Sequence, residues 1–596
     1  MLWFAEIASG INPQTPHVVN DSKTPSGRVH VGALRGVILH DAIYRAVKWR
    51  GIPVKYYFGV DDYDPLDEIP AGQKELFEPY LGAPLCNVPA PPGSKAADVA
   101  EHFISEFFDT FKELGVSAET YRMRDLYRGG KLNESIDRIL HSAAIVRKVY
   151  KEVSGSNRSD KWYPFQVICE NCGRIGTTEV FSYDGKEVEY ACRPNLVKWA
   201  KGCGHRGKMS PFDGRGKLPW KLEWVAKWRV LGVTLEGAGK DHSTKGGARD
   251  VASACVEQIF ESPPPFNIPY EFFLVGGAKM SSSKGIGASA RDMADFLPPE
   301  ILRFLILRTQ PKTPVNFVLN EEFIVKLFND FDRLHKRVFT DPLARDDEKE
   351  LYRLCEVPLS SEGDYFDANL QLLLTFIQMP HVDLVSEMEK RKGAKLNEIE
   401  RRHLDDRVRA ARYFLDHYAS EEDKIHLKET LPARAEGLTL AQRAFLRNLA
   451  SSLKTEPWED DAIQARIFDM ARQTPIAQGE AFKAVYRVFF DRDMGPRAGA
   501  VLAVLSRDFV VNRLSELSYD EEAFLGEAAI TEEELLLWLM AEKANIVEAK
   551  REERPSGLID ILTTLRDQKT YRHLVKGGLT EQALSLLSPT NRSDSP

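Results

Sequence analysis

Near the N-terminus the apolar positions fall into a strand–helix–strand pattern. His17-Val18-Val19-Asn20 is a short run of strand character. Leu34, Val37, Ile38, Ala42, Tyr44, Ala46 and Val47 then recur at close to helical spacing, which predicts a helix over 34–49 that Gly51 stops. Val54-Lys55-Tyr56-Tyr57-Phe58-Gly59-Val60 is rich in strand formers and runs into Asp61-Asp62. A second unit follows downstream: a strand over 230–235, the loop Gly239-Lys240-Asp241-His242, a helix over about 248–260, and a strand over 272–275 ending at Gly276-Gly277. Units of this kind build parallel sheets and leave ligands at the carboxyl ends of the strands.

Beyond Thr309-Gln310-Pro311 the periodicity turns helical, as in Glu322-Phe323-Ile324-Val325-Lys326-Leu327-Phe328 and Gln442-Arg443-Ala444-Phe445-Leu446, and no fixed-period repeat is present. The fold class expected is α/β: a Rossmann-type parallel-sheet catalytic domain with a zinc-bearing insert, followed by an all-α C-terminal half. The boundaries read as 1–165 and 216–310 for the two catalytic halves and 166–215 for the insert. Helices over 311–345 link these to an α-helical domain over 346–517. Residues 518–596 read as a helical extension with an acidic helix near 532–548 and a disordered tail after Ser588.

Composition changes this picture in three places. No stretch reaches the roughly 20 apolar residues that span a bilayer, and Met1-Leu2-Trp3-Phe4-Ala5-Glu6 lacks the basic start of a signal peptide, so the cytoplasm is expected. Four of the seven cysteines fall between Cys169 and Cys203, which points to a metal site in a reducing compartment rather than a disulfide framework. Cys169-Glu170-Asn171-Cys172-Gly173 forms one knuckle; Cys192 and Cys203 are the partners of first choice, with His205 the rival fourth ligand of a structural zinc. The formal net charge of −8 would not by itself suggest a nucleic-acid partner, although a local basic patch can meet one on an acidic chain.

Candidate chemistry sits in two loops. Thr24-Pro25-Ser26-Gly27-Arg28-Val29-His30-Val31-Gly32-Ala33 joins the first strand to its helix, where unpaired backbone N–H groups and the positive dipole end favour phosphate. Gly27 and Gly32 allow close backbone approach, and His30 can donate to phosphate oxygens whose charge shifts during attack. Taken alone, a His-x-Gly run is more often a loop with a capping histidine. Lys279-Met280-Ser281-Ser282-Ser283-Lys284-Gly285 is a strongly donating segment able to close over a triphosphate.

Together these loops resemble the "HIGH" and "KMSKS" motifs of class I aminoacyl-tRNA synthetases, in the right order. Val60-Asp61-Asp62-Tyr63-Asp64, Leu218-Pro219-Trp220-Lys221-Leu222-Glu223-Trp224, Gly237-Ala238-Gly239-Lys240-Asp241-His242 and Pro269-Tyr270-Glu271-Phe272 are similar to the lysine enzyme of that class. So are Tyr486-Arg487-Val488-Phe489-Phe490 and Gly495-Pro496-Arg497-Ala498-Gly499, so the likeness spans roughly 17–517. It implies a lysine–tRNA ligase using ATP with Mg²⁺, and tRNA(Lys), lysine and ATP as partners of a monomer. His30, Gly32, Lys279 and Lys284 would be catalytic. Pro25, Ser26, Gly27, Gly239, Asp241, Met280, Ser281 and Ser283 would join His30, Gly32 and Lys279 around ATP. Ser22, Thr24, Trp220, His242 and Tyr270 would line the lysine pocket, and a helical cage beyond about 345 would hold the anticodon. The chain departs from the pattern at Ala33, where histidine or asparagine is usual, at Ser22, where glycine is usual, and at Gly246-Gly247-Ala248. Alternatives are a paralogue for another amino acid such as glutamate, a non-catalytic tRNA-binding relative, and a small-cofactor nucleotidyltransferase, which the chain length disfavours.

Overall fold

The computed structural model describes residues 2–520 and 523, apart from 71, 277, 280–288, 358–365, 367, 380, 381, 422, 423 and 475; for 278, 279 and 473 only the backbone is described. It divides into a unit of Met1–Asp367 with Asn397–Tyr418 and a unit of Ala368–Leu396 with Ala419–Pro596.

The first unit is built on five parallel strands: β1 (His17–Lys23), β2 (Val54–Val60), β3 (Glu119–Arg122), β4 (Leu235–Gly239) and β5 (Phe266–Tyr270). They lie in the order β5-β4-β1-β2-β3. β1 pairs with β2 from His17↔Val54 to Lys23↔Val60 and touches β4 at Val19↔Leu235. The order therefore reverses between β1 and β4, the switch point where sheets of this kind hold ligands. After the N-terminal helix α1 (Trp3–Gly10), helix α2 (Val31–Trp49) crosses from β1 to β2. It is buried on nearly every face, Leu34, Val37, Ile38, Ala42 and Val47 being fully or almost fully covered. Its start is one turn earlier than the apolar spacing predicted, because Val31-Gly32-Ala33 continues the helical turn behind His30.

Two strands differ from expectation. Val230 and Leu231 close helix α3 (Trp220–Leu231), which ends at Gly232 with φ +67, so the strand starts only at Leu235. The β-branched and apolar character of 230–235 is thus divided between a helix end and a strand start. After helix α4 (Ala248–Phe260) the sheet continues with Phe266–Tyr270, whose Pro269 is acceptable because β5 is an edge strand. Phe273–Val275 belongs instead to a separate three-stranded sheet, parallel to Val315–Phe317 and antiparallel to Ala278–Lys279. Helix α5 (Ala290–Phe296) begins with a Ser289–Asp292 capping box. Between the halves, the cysteine-bearing insert is a three-stranded antiparallel sheet of Thr178–Tyr183, Val188–Cys192 and Arg206–Met209.

Among the described residues the second unit is helical, with Phe445, Leu449, Ile463, Ile467, Val485 and Phe489 in its core. The two segments singled out near its end meet: a Cβ on Gly495 would fall 2.8 Å from the Tyr486 ring, and Tyr486 Oη donates to the Pro496 carbonyl. The acidic helix expected near 532–548 and the tail lie outside the described residues. No helix among the described residues is long and apolar enough to cross a membrane.

One buried group makes the first unit acid-sensitive. His403 is 7% exposed and accepts from the Phe366 N–H at 3.2 Å. Burial, then Arg407, Arg402 and His335, against the pull of Glu400, lower its pKa from the ordinary 6.5 to about 4. Between those values the unfolded chain binds a proton that the folded chain refuses, so stability is present above pH 6.5 and falls as pH drops toward 4. At 1.36 kcal/mol per unit the loss is about 3 kcal/mol. Urea midpoints measured against pH should show this slope in the native protein and a shallower one in His403→Asn.

Candidate active site

At the carboxyl ends of the strands, over the switch point, lies a cavity of about 420 Å³. Its walls include Ser22 and Thr24 from β1 and the loop after it, His30 and Gly32 from the start of α2, and Trp220 from the first turn of α3. Gly239, Asp241 and His242 follow from the end of β4, and Tyr270 from β5. Nine of the residues singled out from sequence thus share one space. Pro25, Ser26 and Gly27 lie on the same loop but outside the cavity wall. Of the lysine loop, Lys279 is described only as backbone in the strand Ala278–Lys279, and Met280, Ser281, Ser283 and Lys284 lie outside the described residues.

His30 occupies the N-cap of α2 in extended conformation, and a Cβ on Gly32 would fall 2.7 Å from its ring, so glycine is needed there. The loop is tied to the segment that follows the lysine loop. His30 and Ser289 form an antiparallel bridge, and the Ala290 N–H donates to the Val29 carbonyl at 2.8 Å. Arg28, absent from the sequence-based selection, adds ion pairs to Glu106 at 2.8 Å and Asp292 at 3.0 Å. The two distant stretches of chain are thereby joined beside one cavity.

The opposite wall is aromatic. Trp220, 44% exposed at the start of α3, meets His242 edge-on with ring centroids 5.2 Å apart. Trp224 extends the group, 6.0 Å from Trp220 and 6.1 Å from His242. Tyr270 reaches across the open side of Gly36, where a Cβ would fall 2.6 Å from its hydroxyl oxygen, and burial pushes its phenol pKa up.

The floor is charged, and most of it escaped the sequence reading. Ser22 Oγ donates to Asp61 at 2.9 Å and accepts from Lys227 Nζ at 3.0 Å, while Lys227 also donates to Asp61 at 2.9 Å. Thr24 Oγ1 donates to Asp64 at 2.6 Å, and Asp64 pairs with Lys217. Burial opposes the charge on Lys227, yet Asp61 and its neighbours raise its pKa well above the ordinary value. Burial pushes Glu223 up to about 7 against the pull of Lys217. Glu236 is held by neutral donors instead: Asn20 at 2.8 Å, Trp224 Nε1 at 2.8 Å, and Trp228 Nε1. Lys227 is committed to Asp61 and Lys217 is shared between Asp64 and Glu223, 3.2 Å from the latter, which leaves Glu236 with neutral donors alone; its charge and the aromatic faces favour a ligand's ammonium group. Asp61-Asp62-Tyr63-Asp64 at a strand end and Glu223 in the Leu218–Trp224 segment were the sequence signals for this floor.

Away from the cavity, the thiols of Cys169, Cys172, Cys192 and Cys203 lie within 4.8 Å of one another. Cys169 and Cys203 sulfurs are 3.7 Å apart, as are those of Cys172 and Cys192. A tetrahedron with zinc–sulfur bonds of about 2.3 Å has edges of about 3.8 Å, which these two pairs match, and four convergent thiols are the donor set such an ion takes. His205 is not in the group; its ring lies 6.0 Å from that of Tyr190.

The family model for tRNA synthetases class I (K) matches residues 1–358. A lysine–tRNA ligase 1 of Methanosarcina acetivorans is 33% identical, covering 87% of this chain and 98% of its own. A lysine–tRNA ligase of Archaeoglobus fulgidus is 31% identical, covering 86% and 99%. Among solved structures, a glutamate tRNA ligase from Elizabethkingia meningosepticum aligns with TM-score 0.42 and 12% identity, covering 84% and 99%.

Proposed function

The chain belongs to the tRNA synthetases class I (K), and from that membership we propose that it is a lysine–tRNA ligase acting through the cavity at the β1/β4 switch point. The observation that carries the reading is that cavity: it joins the His30 loop of one half to the Asp241-His242 loop of the other. It also has a floor suited to an ammonium.

The lysine carboxylate is already a nucleophile, so the protein's task is positioning and charge stabilisation. It attacks the α-phosphorus of ATP; the bond to the β-phosphate oxygen breaks and pyrophosphate leaves, giving lysyl-adenylate. His30 donates to the phosphate oxygens at the positive end of α2, and Gly32 keeps the approach open. Lys279 and Lys284 neutralise the departing pyrophosphate, with Met280, Ser281 and Ser283 carrying the loop. Pro25, Ser26 and Gly27 shape the turn beneath ATP, and Gly239 with Asp241 receives its ribose. Mg²⁺ enters with the triphosphate. Ser22, Thr24, Trp220, His242 and Tyr270 enclose the lysine. A ribose hydroxyl of the terminal adenosine of tRNA(Lys), the 2′ one in class I, then attacks the carbonyl and AMP leaves. Residues 346–517 hold the anticodon arm. ATP and tRNA as substrates suit the cytoplasm.

The four cysteines would hold a zinc ion, and a full set of four thiolate ligands would give it a structural rather than a catalytic role. Zinc analysis should find about one ion per chain in the native protein and in His205→Ala, and loss of it in Cys203→Ser; loss in His205→Ala with retention in Cys203→Ser would reverse the assignment.

The function itself is tested by charging tRNA(Lys) transcripts with single amino acids. Lysine alone should appear at the 3′ end. Glutamate in its place would identify the paralogue, and no charging by any amino acid would identify a non-catalytic relative.

A further inference from the structure

Among the described residues two lysines line the cavity, Lys23 and Lys227, and their charges are met in different ways. Lys227 is buried and donates to Asp61 at 2.9 Å and to Ser22 Oγ at 3.0 Å. Lys23, the last residue of β1, makes no ion pair among the described residues, and its ammonium makes no hydrogen bond there. It is half-buried, and burial lowers its pKa against the pull of Asp61, Asp21 and Asp64. An ammonium drawn out of water without a partner is unfavourable, and an anion brought to it relieves that state.

The strand fixes where this charge stands. Successive side chains of a strand point to opposite faces. Ser22 takes the face that carries α3, where it accepts from Lys227. Asp21 takes the other face, which carries α2: its carboxylate lies 3.2 Å from the position of a Cβ on Gly36 and 3.5 Å from His40 Nδ1. Lys23 shares that face, two residues nearer the carboxyl end of β1. Two residues of strand advance about 6.6 Å, the rise of about four residues of helix. Because α2 runs back between two parallel strands, counting from Gly36 brings Lys23 level with Gly32 in the first turn of the helix. In that turn the Ala33 N–H donates to the His30 carbonyl at 3.0 Å, while the N–H groups of Val31 and Gly32 meet no acceptor among the described residues. Such N–H groups and the positive end of the helix dipole favour an anion. An unmatched cation and an open helix start thus border the same cavity, beside His30.

We propose that Lys23 Nζ holds a non-bridging oxygen of the α-phosphate of ATP, and of lysyl-adenylate once it has formed. The proposal rests on the ligase reading for the reaction at this cavity. It gives the two faces of β1 opposite charges. Glu236, bonded to Trp224 and Trp228 of α3, draws the substrate's side-chain ammonium. Lys23, on the α2 side, repels that ammonium and leaves the substrate's carboxylate toward the phosphorus it attacks. As the carboxylate adds, its charge spreads onto the α-phosphate oxygens, where a fixed ammonium stabilises it.

The test is calorimetric binding of AMP, adenosine and lysine to the full chain, native and with Lys23→Met, Lys23→Gln or Lys23→Arg. Loss of one charge-assisted contact should weaken AMP binding by about tenfold or more in Lys23→Met and Lys23→Gln. Adenosine, which has the base and ribose but no phosphate, should bind as it does to the native protein, and so should lysine. Lys23→Arg should keep most of the AMP affinity. Equal weakening of AMP and adenosine would make Lys23 structural and overturn the proposal, as would unchanged AMP binding. A loss confined to lysine would place the ammonium on the substrate's carboxylate and overturn it too. AMP binds without amino acid or tRNA, so a native protein that binds AMP through Lys23 yet charges no tRNA with lysine counts against the ligase reading alone.

Discussion

Replacing His30 by alanine is expected to lower kcat for lysyl-tRNA formation by about 10²–10³-fold, the cost of removing one donor aimed at charge that develops in the transition state. The argument is geometric. His30 stands at the N-cap of α2 on the cavity wall, where the helix dipole and the unpaired N–H groups already favour phosphate. Its side chain makes no capping hydrogen bond to the helix, so truncation should leave the fold intact. The backbone bridge to Ser289 survives the change as well. Steady-state kinetics should therefore show a fall in kcat with KM for lysine little altered, and the urea midpoint unchanged. A kcat within about threefold of the native value would remove His30 from the chemistry.

The second large effect is structural and falls on Arg35, which is fully buried in α2. Its guanidinium donates to the carbonyls of Phe272 at 2.8 Å, Gln310 at 3.1 Å, Pro311 at 3.0 Å and Thr313 at 2.7 Å. One side chain thereby ties α2 to the strand Phe273–Val275, which leads toward the lysine loop, and to the segment that enters its partner strand Val315–Phe317. Burial lowers its pKa to about 10, still far above neutrality, so it stays charged at pH 7. Arg35→Ala leaves buried carbonyls without donors and a void in the core, a cost of roughly 3–5 kcal/mol. Arg35→Met fills most of the void but restores no donor, and should recover less than half of the loss. Chemical denaturation measures both variants; full recovery in Arg35→Met would show that volume, not hydrogen bonding, is what the site needs.

Local signals in the sequence located part of this architecture. Val54–Val60 and Ala248–Phe260 were placed as they occur, because each is an apolar run with a clear stop nearby. Residues 230–235 were misplaced, since β-branched and apolar residues straddle a helix end that only Gly232 in a left-handed conformation marks. Phe266–Tyr270 was hidden by its proline, which counts against a strand until an edge position makes it harmless.

The site shows the same division. His30 and Gly32 sit at the start of α2, and Asp241 and His242 in the short helix Lys240–Ser243 that replaces the expected loop; their residue types announce phosphate or ribose chemistry. Lys217, Lys227 and Glu236 carry no such mark: Lys217 precedes α3, Lys227 stands on that helix between tryptophans, and Glu236 lies within β4, settings that announce no chemistry. Only closure of the sheet brings Lys227 to Asp61 and Lys217 to Asp64. Such a floor is a tertiary property, and no local pattern encodes it.

The central claim is that lysine is activated in the cavity at the switch point. Exchange of labelled pyrophosphate into ATP, with tRNA(Lys) present, reads that step. Label should enter ATP only when lysine is supplied, and His30→Ala should reduce the exchange rate to the same degree as kcat. Exchange that proceeds without lysine, or that is as fast in His30→Ala as in the native protein, would contradict the account.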